Sequence, residues 1–237
     1  LIQKEDITPN NVNKPLFNTA PYVAFVGSFA AYAAIPFSSK FIPADFSIGL
    51  FYIFAVSSFG VIGILMGGWS SNNKYSMLGA IRSAAQMISY EIPMALSILA
   101  IATLSQSLSM NKIIELQAGG FWNWNILGGS GPFLKVLFIP FLLVLFLIYF
   151  IGSLAETNRT PFDIPEGESE IVGGYHTEYS GMKFAMFFFA EYSNMFVVSA
   201  LVTIMFFGGW QSPFGNFLND PISQTLWFII KAMFFVF

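Results

Sequence analysis

The sequence predicts an all-α integral membrane protein, a polytopic helical bundle. Three observations carry this. Hydrophobic residues make up 55% of the chain and charged residues only 10%, against about a quarter charged in a soluble domain. Several apolar runs approach the roughly 20 residues needed to cross a bilayer. Those runs are continuous, whereas barrel strands alternate over about ten residues.

Five full spans and a truncated sixth follow from the pattern, within one membrane domain, 1–237. The first span covers 20–38 and the second 47–69. The third, 77–104, opens polar and closes apolar. The fourth covers 133–154 and the fifth 184–210, with an acidic loop, 155–183, between them. The sixth begins at 223 and stops short at 237. The stretch SMNKIIELQ, 109–117, reads as a short helix lying at the surface. Neither a soluble domain nor an internal repeat is evident. The opening LIQKEDITPNN has no Met and no signal peptide, so both ends are expected to be cut, by fragmentation or a split gene.

Composition narrows the chemistry. There is no Cys and one His, His176. Iron–sulfur clusters need several thiolates, a bis-His haem needs two imidazoles, and zinc sites draw on Cys and His. The chain is therefore expected to hold no metal and no cofactor of its own. A net charge of −3 gives no polybasic case for nucleic acid. The 29 Phe residues fit an AT-rich genome such as an organelle's, which favours a mitochondrial inner membrane over a bacterial one.

Charge also sets orientation. Lys4, Lys14, Lys74, Arg82, Arg159 and Lys183 fall on the side of the N-terminus. Lys40, Lys112 and Lys135 fall opposite, and Lys231 lies within the truncated span. The excess makes the N-terminal side the cytoplasm or matrix, so the acidic loop lies on the inner face.

Two acids fall inside spans. Glu91 sits nine residues past Arg82, and Glu191 about nine past Met182, which puts each roughly 13 Å along its helix. An intramembrane carboxylate costs about 3 kcal/mol or more unless it meets a partner or water, and such groups mark proton relays and ion paths. The competing reading is a neutral carboxylic acid hydrogen-bonded between helices. Each acid stands beside a tyrosine, Tyr90 and Tyr192. Pro93 removes the helical partner of the Ser89 carbonyl, which either frees a polar group near Glu91 or only kinks the helix.

The stretch AETNRTPFDIPEGESEIVGGYHTEY holds six of the thirteen acidic residues: Glu156, Asp163, Glu166, Glu168, Glu170 and Glu178. Its prolines and glycines make it a shaped loop. Arg159 and His176 are its cationic candidates. Clustered carboxylates can share protons near neutral pH, which suits a proton intake. A docking surface for a basic partner is compatible with that. A cation site is a third possibility, although the calcium-loop spacing is absent.

These residues carry a resemblance. AETNRTPFDIPEGESEIVGGYHTEYSGMKFAMFFFAEY closely resembles the inner-face loop of the subunit 1 family of NADH:ubiquinone oxidoreductase, respiratory complex I, whose bacterial equivalent is the H subunit. NNKYSMLGAIRSAAQMISYEIPMALS matches a second stretch of that family. KEDITPNN and SIGLFYIFAVSSFGVIGILMGGWSSN also fit, so the resemblance covers essentially the whole chain.

The resemblance implies a membrane subunit at the heel of the complex that helps form the ubiquinone access tunnel and the acidic path coupling quinone reduction to proton translocation. Glu91, Glu156, Glu178 and Glu191 match the family's path acids. Asp163, Glu166, Glu168 and Glu170 match its loop acids, and Arg82 and Arg159 their charge partners. Phe184, Phe187 and Phe188 match the helix face near the tunnel. Ubiquinone would be the substrate, with NADH, FMN and iron–sulfur clusters in partner subunits. The quinone-site subunits of the peripheral arm, neighbouring membrane subunits and lipid would be its partners.

The chain departs from the family pattern in places. The family's first helix and its last part, through an eighth helix, are missing; either separate chains or further residues of this one are expected to supply them. His176 stands where the family more often has Asn. From the residues alone, a proton or ion transporter or channel remains the alternative, although a transporter's inverted repeats are not seen. The homologous subunit of a membrane-bound hydrogenase, using no quinone, is the other.

Overall fold

The computed structural model describes residues 5–129, 135–163, 173–215, 217 and 219–236, with backbone alone at 135 and 136. Among them every regular element is helical. The helices are α1 (Lys14–Ala31), α2 (Gly49–Ser70), α3 (Lys74–Leu104), α4 (Met110–Leu116), α5 (Lys135–Glu156), α6 (Gly181–Phe206) and α7 (Pro221–Val236). Short 3₁₀ turns include Tyr32–Ala34 and Gly174–His176.

Among the described residues four helices are long and apolar enough to cross a membrane: Gly49–Ser70, Lys74–Leu104, Leu137–Glu156 and Gly181–Phe206. The first predicted span is not among them. Its helix starts earlier than the apolar run, at Lys14, because Pro15 is well placed in a first turn. It ends earlier too. Pro36 drives the preceding residue out of helical geometry, and Ile35 is extended at φ −78° and ψ 118°. The polar start KPLFNT thus replaces the expected apolar end. The last helix, Pro221–Val236, is apolar but short.

Elsewhere the spans shift by a few residues. The polar stretch before 77 is already helical, and α3 continues through Pro93. Helix α6 stops before Gly208 and Gly209, both left-handed at φ 70° and 53°, as glycines at helix ends commonly are. The predicted surface helix forms as α4, with Met110, Ile113 and Ile114 buried.

The chain divides into two compact units. The first comprises Leu1–Ala30, Ala55–Ile92 and Ser153–Asn194; the second comprises Ala31–Phe54, Pro93–Gly152 and Met195–Phe237. In the first unit the core gathers Phe17, Ala24, Ile64, Ala80, Tyr179 and Phe187. Helices α1 and α2 meet closely there, since a Cβ on Gly63 would lie 2.7 Å from the Ala24 Cβ. Segment 5–8 is tied to the start of α6: Ile7 N donates to Ser180 Oγ at 3.1 Å, and Lys183 pairs with Asp6 at 3.5 Å.

In the second unit Met94, Ile98, Tyr149, Leu201 and Phe228 form much of the core. Its one lysine on α7, Lys231, donates to the Phe207, Gly209 and Gln211 carbonyls at 2.8, 3.0 and 2.7 Å. The ammonium also lies 4.3 Å from the Trp124 ring centre. Those carbonyls follow the end of α6, where unpaired C=O groups attract a cation.

Candidate functional site

Glu91 of α3, Glu156 at the end of α5 and Glu191 of α6 all line one cavity of the first unit. It offers about 40 Å³ to water-sized molecules. A single water needs about 10–15 Å³, so the space suits two or three. Ser57, Asn158 and Asn194 add polar lining, while Ile64, Met87 and Phe187 supply apolar walls.

Each carboxyl has a distinct setting. Glu156 is 8% exposed and accepts from Asn194 Nδ2 at 3.1 Å. Glu91 accepts a long hydrogen bond, 3.4 Å, from Ser58 Oγ. Glu191 faces the guanidinium of Arg159 at 4.0 Å, with side chains 13% and 37% exposed. Arg159 also lies 5.0 Å from the Tyr192 ring centre. The two neighbouring tyrosines thus serve different groups, because Tyr90 packs edge-on against Phe162 at 5.3 Å.

The end of α5 explains how Glu156 and Arg159 are placed. Asn158 is left-handed at φ 48°, a conformation Asn tolerates. Arg159 N donates to Leu154 O at 3.0 Å and Asn158 N to Ala155 O at 3.4 Å, the paired bonds of a Schellman cap. Glu156 is therefore the last helical residue, and Arg159 follows directly after the turn.

Glu178 lies apart from the cavity. It accepts from Asn73 Nδ2 at 2.6 Å and lines an open groove with Asn10, Asn11, Asn72 and Lys74. Asp163 is exposed, and so is Arg82, eight residues after the start of α3. Glu166, Glu168 and Glu170 lie outside the described residues.

The aromatic residues form one cluster. Phe187 is 2% exposed and packs edge-on to Tyr179 at 5.0 Å and Tyr175 at 5.4 Å. His176 lies against Phe184, Phe187 and Phe188 at 5.4, 5.8 and 5.5 Å. Tyr179 stacks on Phe17 at 4.1 Å and donates to Phe17 O at 3.2 Å. Burial pushes its phenol up to about 12, with a Ser70 hydrogen bond acting the other way.

Ser58, Asn194, Gln86 and Asn158 escaped the sequence reading. The available signal was an amide or hydroxyl within or just after an apolar helix, where a polar group needs a partner. Only the folded chain shows which partner each finds.

The NADH dehydrogenase family model matches residues 1–237. The chain belongs to that family. It is 50% identical to the H subunit of the NADH-quinone oxidoreductase of Chlorobaculum tepidum over 247 residues, covering all of this chain and 66% of the relative. It is 45% identical to an H subunit, numbered 2, of the Koribacter versatilis NADH-quinone oxidoreductase, covering all of this chain and 70% of the relative. The corresponding H subunit of Phenylobacterium zucineum is 44% identical over 94% of this chain and 62% of its own length. The chain thus spans about two thirds of the length of these relatives. All three come from bacteria, so the expected mitochondrial location gains no support from them. The family match does not favour the transporter, channel or hydrogenase alternatives.

Proposed function

We propose that this chain is a multi-pass membrane subunit of an NADH–quinone reductase, helping to form the ubiquinone access tunnel and the acidic path that couples quinone reduction to proton translocation. One observation carries the path: three carboxyls from three separate helices line one cavity with room for water. Carboxyls in an apolar bundle are costly unless hydrated or paired, and a few waters let protons pass between groups that do not touch. Glu156, at the end of α5, takes the proton first. Glu91 and Glu191 receive it through the cavity.

Arg159 supplies the link to charge. At 4.0 Å from Glu191 its attraction weakens when that carboxyl is protonated. A change of charge at the inner-face loop during quinone reduction acts back on Glu191 by the same route. Phe184 and Phe188, partly exposed beside His176, are the aromatic residues offered to the tunnel, whereas Phe187 belongs to the core. Ubiquinone is the substrate. NADH, FMN and iron–sulfur clusters belong to partner subunits, among them those of the peripheral arm. Helix α1, packed on α2, is assigned as a fifth span, and α7 as a shorter sixth.

The test replaces Glu91 and Glu191 by Gln and by Asp in assembled complexes, measuring NADH:quinone turnover and membrane potential together. Gln should lower both at constant assembly, and Asp should retain more of each. Near-normal values in both Gln variants would leave these acids a purely structural role.

A further inference from the structure

We propose that Gln86 is the positioning residue that sets Glu156 and Arg159 in place against the acids of α3 and α6, an inference that rests on the proton-path reading above. Gln86 sits on α3, half-buried, and its side-chain amide reaches across to the end of α5. Nε2 donates to Ala155 O at 2.8 Å, to Phe162 O at 2.8 Å and to Asn158 Oδ1 at 3.2 Å. An amide has two N–H groups, so three acceptors share two protons.

Those acceptors are the parts of the cap that need support. Ala155 O is one of the carbonyls a helix end leaves short of partners. Its bond within the cap, from Asn158 N, is long at 3.4 Å. Asn158 is the left-handed residue of the turn. Phe162 O closes the loop beyond Pro161, and Tyr90, one turn after Gln86, holds the Phe162 ring. Glu156 follows Ala155 and Arg159 follows Asn158, so a tether on those two residues fixes the backbone that carries the buried carboxyl and its neighbouring cation.

Gln86 has no titrating group and cannot itself relay a proton as an acid. Its effect must pass through Glu156 and Arg159. With the tether gone, the cap keeps its 3.0 Å and 3.4 Å bonds and the bonds from Thr157 N and Oγ1 to Ser153 O at 3.1 and 2.9 Å, but nothing across from α3 holds Ala155 O and Asn158 Oδ1. The Glu156 carboxyl then loses its fixed distance to Asn194, and Arg159 its fixed approach to Glu191.

The test uses the assembled complex with the full-length chain and two variants: Gln86→Met, of similar length without donors, and Gln86→Asn, which keeps the amide on a shorter stem. Hydrogen exchange is read at the backbone amides of 157–160, alongside quinone-dependent turnover as a function of pH and NADH oxidation by an artificial acceptor. Gln86→Met should speed exchange there by about five- to thirty-fold, the factor expected from one or two lost hydrogen bonds. It should lower quinone turnover several-fold and shift its pH profile, with the artificial-acceptor rate unchanged. Gln86→Asn should fall between Met and wild type. Should Gln86→Met fail to assemble, Gln86→Asn is read by the same criteria. Unchanged exchange would overturn the tether. Faster exchange with a wild-type pH profile and turnover would make Gln86 a structural brace and overturn its positioning role. Glu156→Gln, measured in parallel, separates this from failure of the path itself: wild-type behaviour there refutes the path, while impairment there beside a normal Gln86→Met refutes the tether alone.

Discussion

Gly79→Ala places a methyl where α3 presses on the turn Gly174–His176. The added Cβ would lie 2.7 Å from the Gly174 Cα and carbonyl carbon and 2.8 Å from Tyr175 N. Carbon atoms in contact rest about 3.5–4.0 Å apart, so the turn must retreat by about 1 Å. The obstacle is backbone on both sides, which cannot swing aside as a side-chain end can. Overpacking of this kind costs about 1–3 kcal/mol, while alanine gains up to about 1 kcal/mol over glycine within a helix. Gly60→Ala in α2 isolates the second effect, since nothing lies within 4 Å of a Cβ there. The difference between the two variants is then the packing cost, about 1–3 kcal/mol, or about 2–12 °C in melting midpoint for a chain of this size. Thermal unfolding of the two purified complexes measures it. The retreating turn would also break the 3.1 Å bond from Ser76 Oγ to Tyr175 O and move a residue that lines the acid cavity, so quinone turnover should fall in Gly79→Ala. Equal midpoints for the two variants would refute the close approach on which this reasoning depends.

Three further predictions concern the same unit. Phe187→Ala should destabilise by about 3–5 kcal/mol, as loss of a buried aromatic side chain does, whereas Phe187→Leu should cost less; thermal midpoints of both variants check this. Glu178→Gln should impair turnover less than Glu156→Gln, because Glu178 lies outside the shared cavity and its Asn73 bond survives with an amide acceptor; equal losses would contradict the separation. Tyr179 should ionise about two pH units above an ordinary phenol, at about 12, read as the late ultraviolet tyrosinate signal missing from Tyr179→Phe. Its folded-state value is raised, so its contribution to stability is full below about pH 10 and lost as pH rises through about 12; denaturation curves across that range should differ between wild type and Tyr179→Phe.

Much of the helical architecture was legible in the sequence because long apolar runs have few alternatives in a membrane. The boundaries were not, for local reasons. Pro36 ended α1 before its apolar run was spent, and Gly208 and Gly209 ended α6 before Trp210. The intramembrane acids announced themselves as carboxylates where none is cheap, and Glu91 and Glu191 do meet in one cavity. Their partners were invisible because hydrogen bonding across helices leaves no spacing rule: Ser58 lies 33 residues from Glu91, and Asn194 lies 38 from Glu156. Glu178 read as equivalent to the others because charge alone says nothing about direction; its bond to Asn73 turns it to a different groove. Asn158 could have been read as a cap, since Asn followed by Pro161 just after an apolar helix is a stop signal.

On the proposed path, Glu91, Glu156 and Glu191 exchange protons when quinone is reduced. Redox-triggered infrared difference spectroscopy of the assembled complex tests it most directly, in wild type and in each Glu→Gln variant. Carboxyl C=O stretching bands should appear on quinone reduction in wild type. Each variant should lose part of them, with Glu156→Gln also diminishing the bands of the two deeper acids. Difference spectra in the carboxyl region that match wild type in all three variants would contradict it.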